Sequence, residues 1–331
     1  MSSNPTNLLN GIIPPMVTPL CGQNEIDMAG LERLVEHIIG GGVHGLFILG
    51  TTGEAPDLSY QVRYDLVKAV CKQVKKRVPV FVGITDTAFS ESVKLANHAA
   101  QQGADAVVVA PPYYLSVAQP ELVEYMEHLA QQLPLPAVLY NMPGCTKVMI
   151  GIQTVRQIAE IPGVIGIKDS SGDVFYFHKL KRALNDKPDF HILIGPEEML
   201  AETVLLGANG GVCGGANLFP RLYVELYKAA AAGNIEKVKK LHKIVIEISS
   251  TIYSVGQYSS SIIKGIKCGL SLMGICDDFL AEPFHRFRDP QRKVICGHLE
   301  RIFDMYNNTP ELAPKISIKA CEPQERVRES V

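Results

Sequence analysis

Val164-Ile165-Gly166-Ile167-Lys168-Asp169-Ser170-Ser171 is an apolar, strand-like run that ends on a charge. A lysine has no packing role at the end of a buried strand, because an unpaired ammonium is expensive away from water. Its presence there asks for a chemical role. Two other apolar runs end in the same way: Ala137-Val138-Leu139 leads into Tyr140-Asn141-Met142-Pro143, and Gly45-Leu46-Phe47-Ile48-Leu49 into Gly50-Thr51-Thr52-Gly53-Glu54. Three strand-like segments thus terminate in reactive side chains.

Outward from these runs, short β-branched segments alternate with segments of helical period. Strands are expected at 12–17, 45–49, 80–84, 106–109, 137–140, 164–168, 192–194 and 211–213, and helices at 27–39, 59–75, 90–102, 119–132, 152–161, 174–184, 197–206 and 220–231. Several of these helices open on the Asp, Ser or Pro suited to a first turn. Strand–helix alternation implies parallel strands, and eight such units close a TIM (β/α)8 barrel. A doubly wound open sheet uses the same alternation, so the count alone does not decide. The polar residues favour the barrel: Thr18, Thr51, Thr52, Tyr113, Tyr114, Tyr140 and Lys168 all follow the apolar part of a strand, the end at which barrels carry their chemistry. No GxGxxG follows the first strand, which weakens a dinucleotide-binding reading. Beyond 233 the pattern is helical, at 237–252, 259–273 and 290–305. The expected division is a catalytic barrel at 1–232, a C-terminal helical appendage at 233–310 and a polar tail at 311–331.

Composition bounds the class. The 331 residues are 47% hydrophobic and 20% charged, enough to bury a large core. A net charge of −2 with no basic stripe offers no footprint for nucleic acid or anionic lipid. The polar N-terminus lacks the layout of a signal peptide, and no apolar run reaches the roughly 20 residues of a membrane span. A soluble, cytoplasmic protein is expected. The eight cysteines form no CxxC pair and no zinc-finger spacing with histidine, and read as free thiols of a reducing compartment. Cys145 and Cys213 fall beside the candidate site.

The segments Gly50-Thr51-Thr52-Gly53-Glu54, Pro112-Tyr113-Tyr114, Tyr140-Asn141-Met142-Pro143, Gly166-Ile167-Lys168-Asp169 and Glu282-Pro283-Phe284 occur in this order at barrel-strand spacing. With them the chain resembles, from Gly11 to about Phe303, the family of dihydrodipicolinate synthase and N-acetylneuraminate lyase, the pyruvate-dependent class I aldolases. The resemblance implies that Lys168 forms an imine with pyruvate, an electron sink that needs no metal or organic cofactor. It makes Tyr140 the general acid and base, in a hydroxyl relay with Thr51 and with Tyr114 from a neighbouring subunit of a homotetramer. On the residues alone each tyrosine reads more readily as core, and Gly-Thr-Thr-Gly as a plain turn. On the family pattern Gly50, Thr51 and Thr52 hold the pyruvate carboxylate, since glycines let backbone N–H groups approach an anion.

The second substrate, an aldehyde, is read from departures. Dihydrodipicolinate synthases typically carry an arginine shortly after the Tyr-Asn-x-Pro motif, where this chain has Cys145. Lys147 is a nearby point charge without the bidentate fork. Gly195-Pro196-Glu197-Glu198 is similar to the segment with which sialic acid lyases hold a hydroxylated tail, although an acidic first helical turn is the plainer reading. After the eighth strand a glycine run around Val212 leaves room for substrate. The expected function is a carbon–carbon lyase that reversibly cleaves a 2-keto-3-deoxy sugar acid, or an N-acetylneuraminate-like substrate, to pyruvate and an aldehyde. The alternatives are a dihydrodipicolinate synthase with an altered semialdehyde clamp, a keto-acid dehydratase, and a non-catalytic keto-acid sensor.

Overall fold

The computed structural model describes residues 8–314. Eight parallel strands follow one another in the chain: β1 (Gly11–Ile12), β2 (Leu46–Ile48), β3 (Val80–Gly83), β4 (Ala106–Val109), β5 (Ala137–Asn141), β6 (Val164–Asp169), β7 (His191–Ile194) and β8 (Gly210–Gly211). Each pairs with its sequence neighbour from β2 to β8, and β8 pairs with β1. A bridge between Pro15 and Phe47 completes the ring: Met16 donates its N–H to the Phe47 carbonyl at 2.8 Å, and Phe47 donates to the Pro14 carbonyl at 3.0 Å. The first strand was expected over 12–17 and is shorter because Pro14 and Pro15 have no N–H to give to a ladder. Where β8 meets β1, a Cβ on Gly210 would lie 1.9 Å from the Gly11 carbonyl oxygen, so only glycine allows the two backbones to close.

The barrel helices are α1 (Met28–Gly40), α2 (Tyr60–Val74), α3 (Phe89–Gln102), α4 (Gln119–Ala130), α5 (Ile152–Ile158), α6 (Val174–Ala183), α7 (Leu200–Leu205) and α8 (Pro220–Ala231). Asp27, Ser59 and Asp173 cap α1, α2 and α6 by accepting N–H groups of their first turns. The helix expected at 197–206 is divided into a 3-10 turn, Glu197–Met199, and α7.

Side chains obey the period of two. Phe47, Phe81, Val108, Val138, Tyr140 and Leu193 point inward and form a small central core. Their neighbours Leu46, Ile48, Val82, Val107, Leu139 and Ile194 point outward into the larger core under the helices. Three further helices, α9 (Ile235–Thr251), α10 (Ser261–Leu272) and α11 (Asp289–Asn307), follow the barrel, α9 packing on α8 and α11 on both α9 and α10. Among the described residues no helix is long and apolar enough to cross a membrane. Cys21, Cys71, Cys145, Cys213, Cys268 and Cys276 are free thiols. Cys296 is disulfide-bonded, which corrects the expectation of eight free thiols; Cys321 lies outside the described residues. So does most of the tail expected at 311–331, while Leu312 at its start is buried.

The appendage is fastened to the barrel by a buried ion pair. Glu54, in the turn after β2, contacts Lys267 of α10, and neither side chain is exposed. The other Glu54 oxygen accepts the Ala281 N–H at 2.9 Å, and Lys267 donates to the Phe279 carbonyl at 2.7 Å. Removing one member leaves the other as an uncompensated buried charge. Lys267→Met is therefore expected to lower the free energy of unfolding by about 3–5 kcal/mol; an unchanged urea midpoint with an unchanged slope would show that the pair does not hold the two parts together.

Candidate active site

β5 and β6 are in register with Tyr140 opposite Lys168 and Asn141 opposite Asp169. Adjacent rungs face opposite sides of the sheet, so the first pair points into the barrel and the second away from it. The outward pair is structural. Asn141 donates its amide to Asp169 at 2.8 Å and accepts the Ile150 N–H at 3.1 Å, while Asp169 also accepts the N–H and hydroxyl of Ser171. Burial pushes the Asp169 carboxyl up, and these hydrogen bonds offset part of that shift. The Asn141–Asp169 bond fixes the register of the strands and with it the inward pair.

The Lys168 amine lies 3.9 Å from the centre of the Tyr140 ring and 4.9 Å from that of Phe47. Below it an apolar cavity is walled by Phe47, Phe81, Val108, Val138, Leu193 and Val212. Phe47 was not singled out from the sequence, though its inward position in β2 was the available signal. It also explains Gly50, since a Cβ there would meet the Phe47 ring at 2.6 Å. The Tyr140 hydroxyl is 3.3 Å from the Thr51 hydroxyl. In the turn, the Gly53 and Glu54 N–H groups bond back to Gly50 and Thr51, and Thr18 holds the Gly53 carbonyl at 2.7 Å. None of these bonds uses the N–H of Thr51 or Thr52, and both residues are partly exposed. An amine, a phenol, a hydroxyl and two available N–H groups thus converge at the C-terminal mouth of the barrel.

Other expected residues fall differently. Tyr114 is 94% exposed, at φ +80°, and does not meet Tyr140 within one chain. Cys145 is exposed in a short helical turn, Pro143–Thr146. Burial pushes its thiol up, while Lys147, Lys168 and the Thr51 hydroxyl act in the opposite direction, which places it at the site. Lys147 turns its amine onto the carbonyl of Gly144 at 3.0 Å, within its own turn. Gly195 donates to the Asp169 carbonyl at 2.7 Å, and a Cβ there would strike Ser170. Cys213 is fully buried in the outer core, away from the cavity wall to which Val212 belongs.

Glu197 departs most from expectation. Its carboxylate is not offered to a substrate: it accepts the Gly215 N–H at 2.8 Å, the Tyr253 hydroxyl at 2.8 Å and the Tyr223 hydroxyl. These bonds tie the turn after β7 to the glycine turn after β8, to α8 and to the turn that follows α9. Burial is the largest effect on Glu197 and raises its pKa to about 7; the Gly215, Tyr223 and Tyr253 donors oppose the rise and neighbouring Glu198 adds to it. Glu198 itself is exposed at the mouth.

A barrel that presents an amine and a phenol on facing rungs at its mouth is equipped as a Schiff-base aldolase. Comparison with known proteins agrees. The chain matches the model of the dihydrodipicolinate synthetase family over residues 8–300 and belongs to that family, whose relatives are carbon–carbon lyases of the class I aldolase type. A putative 2-dehydro-3-deoxy-D-gluconate aldolase of Escherichia coli K12 is 33% identical over 79% of this chain and 88% of its own length. A 4-hydroxy-tetrahydrodipicolinate synthase of Geobacter metallireducens is also 33% identical, over 83% of this chain and 92% of its own. Among solved structures, a dihydrodipicolinate synthase of Bacteroides thetaiotaomicron is 56% identical with a TM-score of 0.86, covering 88% of this chain and 98% of that one. The E. coli protein YagE, solved in complex with pyruvate, is 31% identical with a TM-score of 0.84, covering 89% and 99%.

An acid whose pKa is raised by folding holds its proton more tightly in the folded state. The stability contributed by Glu197 is therefore full below its ordinary value of 4.5 and is lost as the pH rises through about 7. The loss amounts to about 3 kcal/mol. Glu197→Gln, which keeps the shape without the titration, is expected to gain on wild type in thermal midpoint between pH 5 and pH 8. Parallel midpoint–pH curves for the two proteins would refute this.

Proposed function

We propose that this aldolase reversibly cleaves a 2-keto-3-deoxy sugar acid, or a related N-acetylneuraminate-like substrate, to pyruvate and an aldehyde. The observation that carries the choice of substrate is the turn after Tyr140. It presents the thiol of Cys145 where dihydrodipicolinate synthases place an arginine, and the nearby Lys147 amine is folded onto Gly144. A semialdehyde carboxylate finds no guanidinium there, whereas the exposed carboxylate of Glu198 accepts hydrogen bonds from vicinal hydroxyls and repels an anionic tail. The competing reading, condensation of pyruvate with aspartate semialdehyde, is favoured by the 56% identity to the Bacteroides synthase.

In the proposed cycle the Lys168 amine adds to the C2 ketone of the keto acid, and Tyr140 gives its proton to the resulting C2 hydroxyl, which leaves as water, so that an iminium and a phenolate remain. Tyr140 takes the proton of the C4 hydroxyl as the C3–C4 bond breaks, and the electron pair of that bond passes to the iminium nitrogen. The aldehyde departs, Tyr140 returns the proton to C3 of the enamine, and hydrolysis of the imine releases pyruvate. The N–H groups of Thr51 and Thr52 suit the keto-acid carboxylate, and the 3.3 Å contact of Thr51 with Tyr140 suits proton relay. No metal or organic cofactor is needed, because the imine is the electron sink. Tyr114 enters from a second copy of the chain in a homotetramer; its 94% exposure and that of Leu115 at 77% suit such a contact.

The test is peptide mass after borohydride reduction, with pyruvate, 2-keto-3-deoxygluconate or N-acetylneuraminate supplied separately. A pyruvyl adduct on Lys168 from a sugar acid is expected, since the aldehyde half must leave first. An adduct from pyruvate alone moves the assignment to the synthase, and an adduct persisting in Lys168→Ala would sink the role of Lys168. Tyr140→Phe is expected to trap pyruvate normally yet turn over at least about 100-fold more slowly. For the shared site, activity should track the oligomer in sedimentation experiments; a fully active monomer would remove Tyr114 from the relay.

A further inference from the structure

α10 carries a second lysine whose environment is the opposite of that of Lys267. Lys264 is one turn nearer the helix N-terminus and is only 4% exposed. No carboxylate faces it among the described ion pairs. Its amine instead lies 4.9 Å from the Tyr258 ring and 6.0 Å from the Phe287 ring. Burial alone lowers the pKa of the group, and no acid acts to raise it. Side chains of a helix slant towards its N-terminus, and the contact with Tyr258, which precedes the helix, places this amine at that end.

The same end lacks its usual partners. Ser260 occupies the cap position, yet its side chain makes no capping hydrogen bond. The Ser261 N–H bonds to Tyr258 and the Lys264 N–H to Ser260, but the Ile262 and Ile263 N–H groups have no acceptor among the described residues. This end of a 12-residue helix thus carries two open N–H groups and the positive pole of its dipole, and the Tyr258 ring that precedes it lies 4.9 Å from a buried amine without a counter-charge. Ring faces stabilise a cation without accepting its hydrogen bonds as an oxygen would, so the amine retains donors to give. Tyr258 and Ile262, 56% and 46% exposed, border the site on its open side.

We propose that the N-terminus of α10, with Lys264, is an oxyanion-binding site for a carboxylate or phosphate group. The inference does not depend on the choice of aldehyde above. The site sits near the barrel mouth: Ile266 lies against the Gly214 turn after β8, and Lys267, on the next turn, holds Glu54 beside the threonine pair. An oxyanion there is either a free anion or the far end of a substrate.

The probe is inorganic phosphate, titrated calorimetrically into the full chain at constant ionic strength, with chloride as the control. Wild type is expected to bind it saturably, Lys264→Met at least about tenfold more weakly, and Lys264→Arg within a few-fold of wild type. Lack of saturable binding by wild type overturns the proposal whether or not the methionine variant folds. Equal affinity in wild type and a folded Lys264→Met also overturns it. Given binding, steady-state kinetics identify the source: phosphate that competes with the aldehyde or sugar acid marks the substrate's far end, and phosphate that leaves KM unchanged marks a free anion. Either result supports the site.

Discussion

Glu54 and Lys267 face each other where neither touches solvent, and most of what distinguishes this chain from a bare barrel follows from that pair. Two charges removed from water are tolerated only when their remaining hydrogen-bonding capacity is met. Here Ala281 and Phe279 meet it with backbone groups from the segment after α10. The turn after β2 is therefore incomplete without the C-terminal helices. Glu54 sits at φ +57°, a conformation that a residue with a Cβ adopts only when its surroundings impose it. The same turn carries Thr51 and Thr52, so the appendage is part of what shapes the mouth of the barrel.

Within the barrel the decisive constraint is the period of two along β5 and β6. A slip of one residue would turn Tyr140 and Lys168 outward and bring Asn141 and Asp169 in. The hydrogen bond between Asn141 and Asp169, one rung beyond the reactive pair, opposes that slip. Inward and outward residues thus alternate in the two motifs, which gives the carboxylate directly after the lysine a structural place. Asn217 plays a comparable part at the seam: it accepts the Val17 N–H at 3.1 Å and donates to the Pro15 carbonyl at 2.9 Å, serving backbone near the prolines that interrupt β1.

Much of this was legible in the sequence because it is local. Strand ends announce themselves where apolar runs stop before Lys168, Tyr140 and Thr51, and helix starts at Asp27 and Ser59. The long-range pairings were not legible. Nothing near Glu54 points to Lys267. Nothing near Glu197 points to Tyr223 and Tyr253, so an acidic pair at a helix start read as a clamp for substrate when one member is bound within the protein and the other is free. Lys147 reads in the sequence as a charge for the site, but its backbone turns at φ +61° and its amine folds onto the Gly144 carbonyl of its own turn. Tyr114 is named by the resemblance alone, and within one chain it is 94% exposed.

α10 brings these strands of argument together, because its two lysines are separated by one turn and differ only in what lies opposite them. Lys267 meets Glu54, with both charges fully buried, and the pair consolidates the turn that carries Thr51 and Thr52. Lys264 meets rings near the end of the same helix, where two N–H groups are open and the backbone dipole is positive. A cation in that position adds to the dipole instead of balancing it, so the end of α10 is electrostatically unfavourable when empty. An arriving anion would relieve both at once.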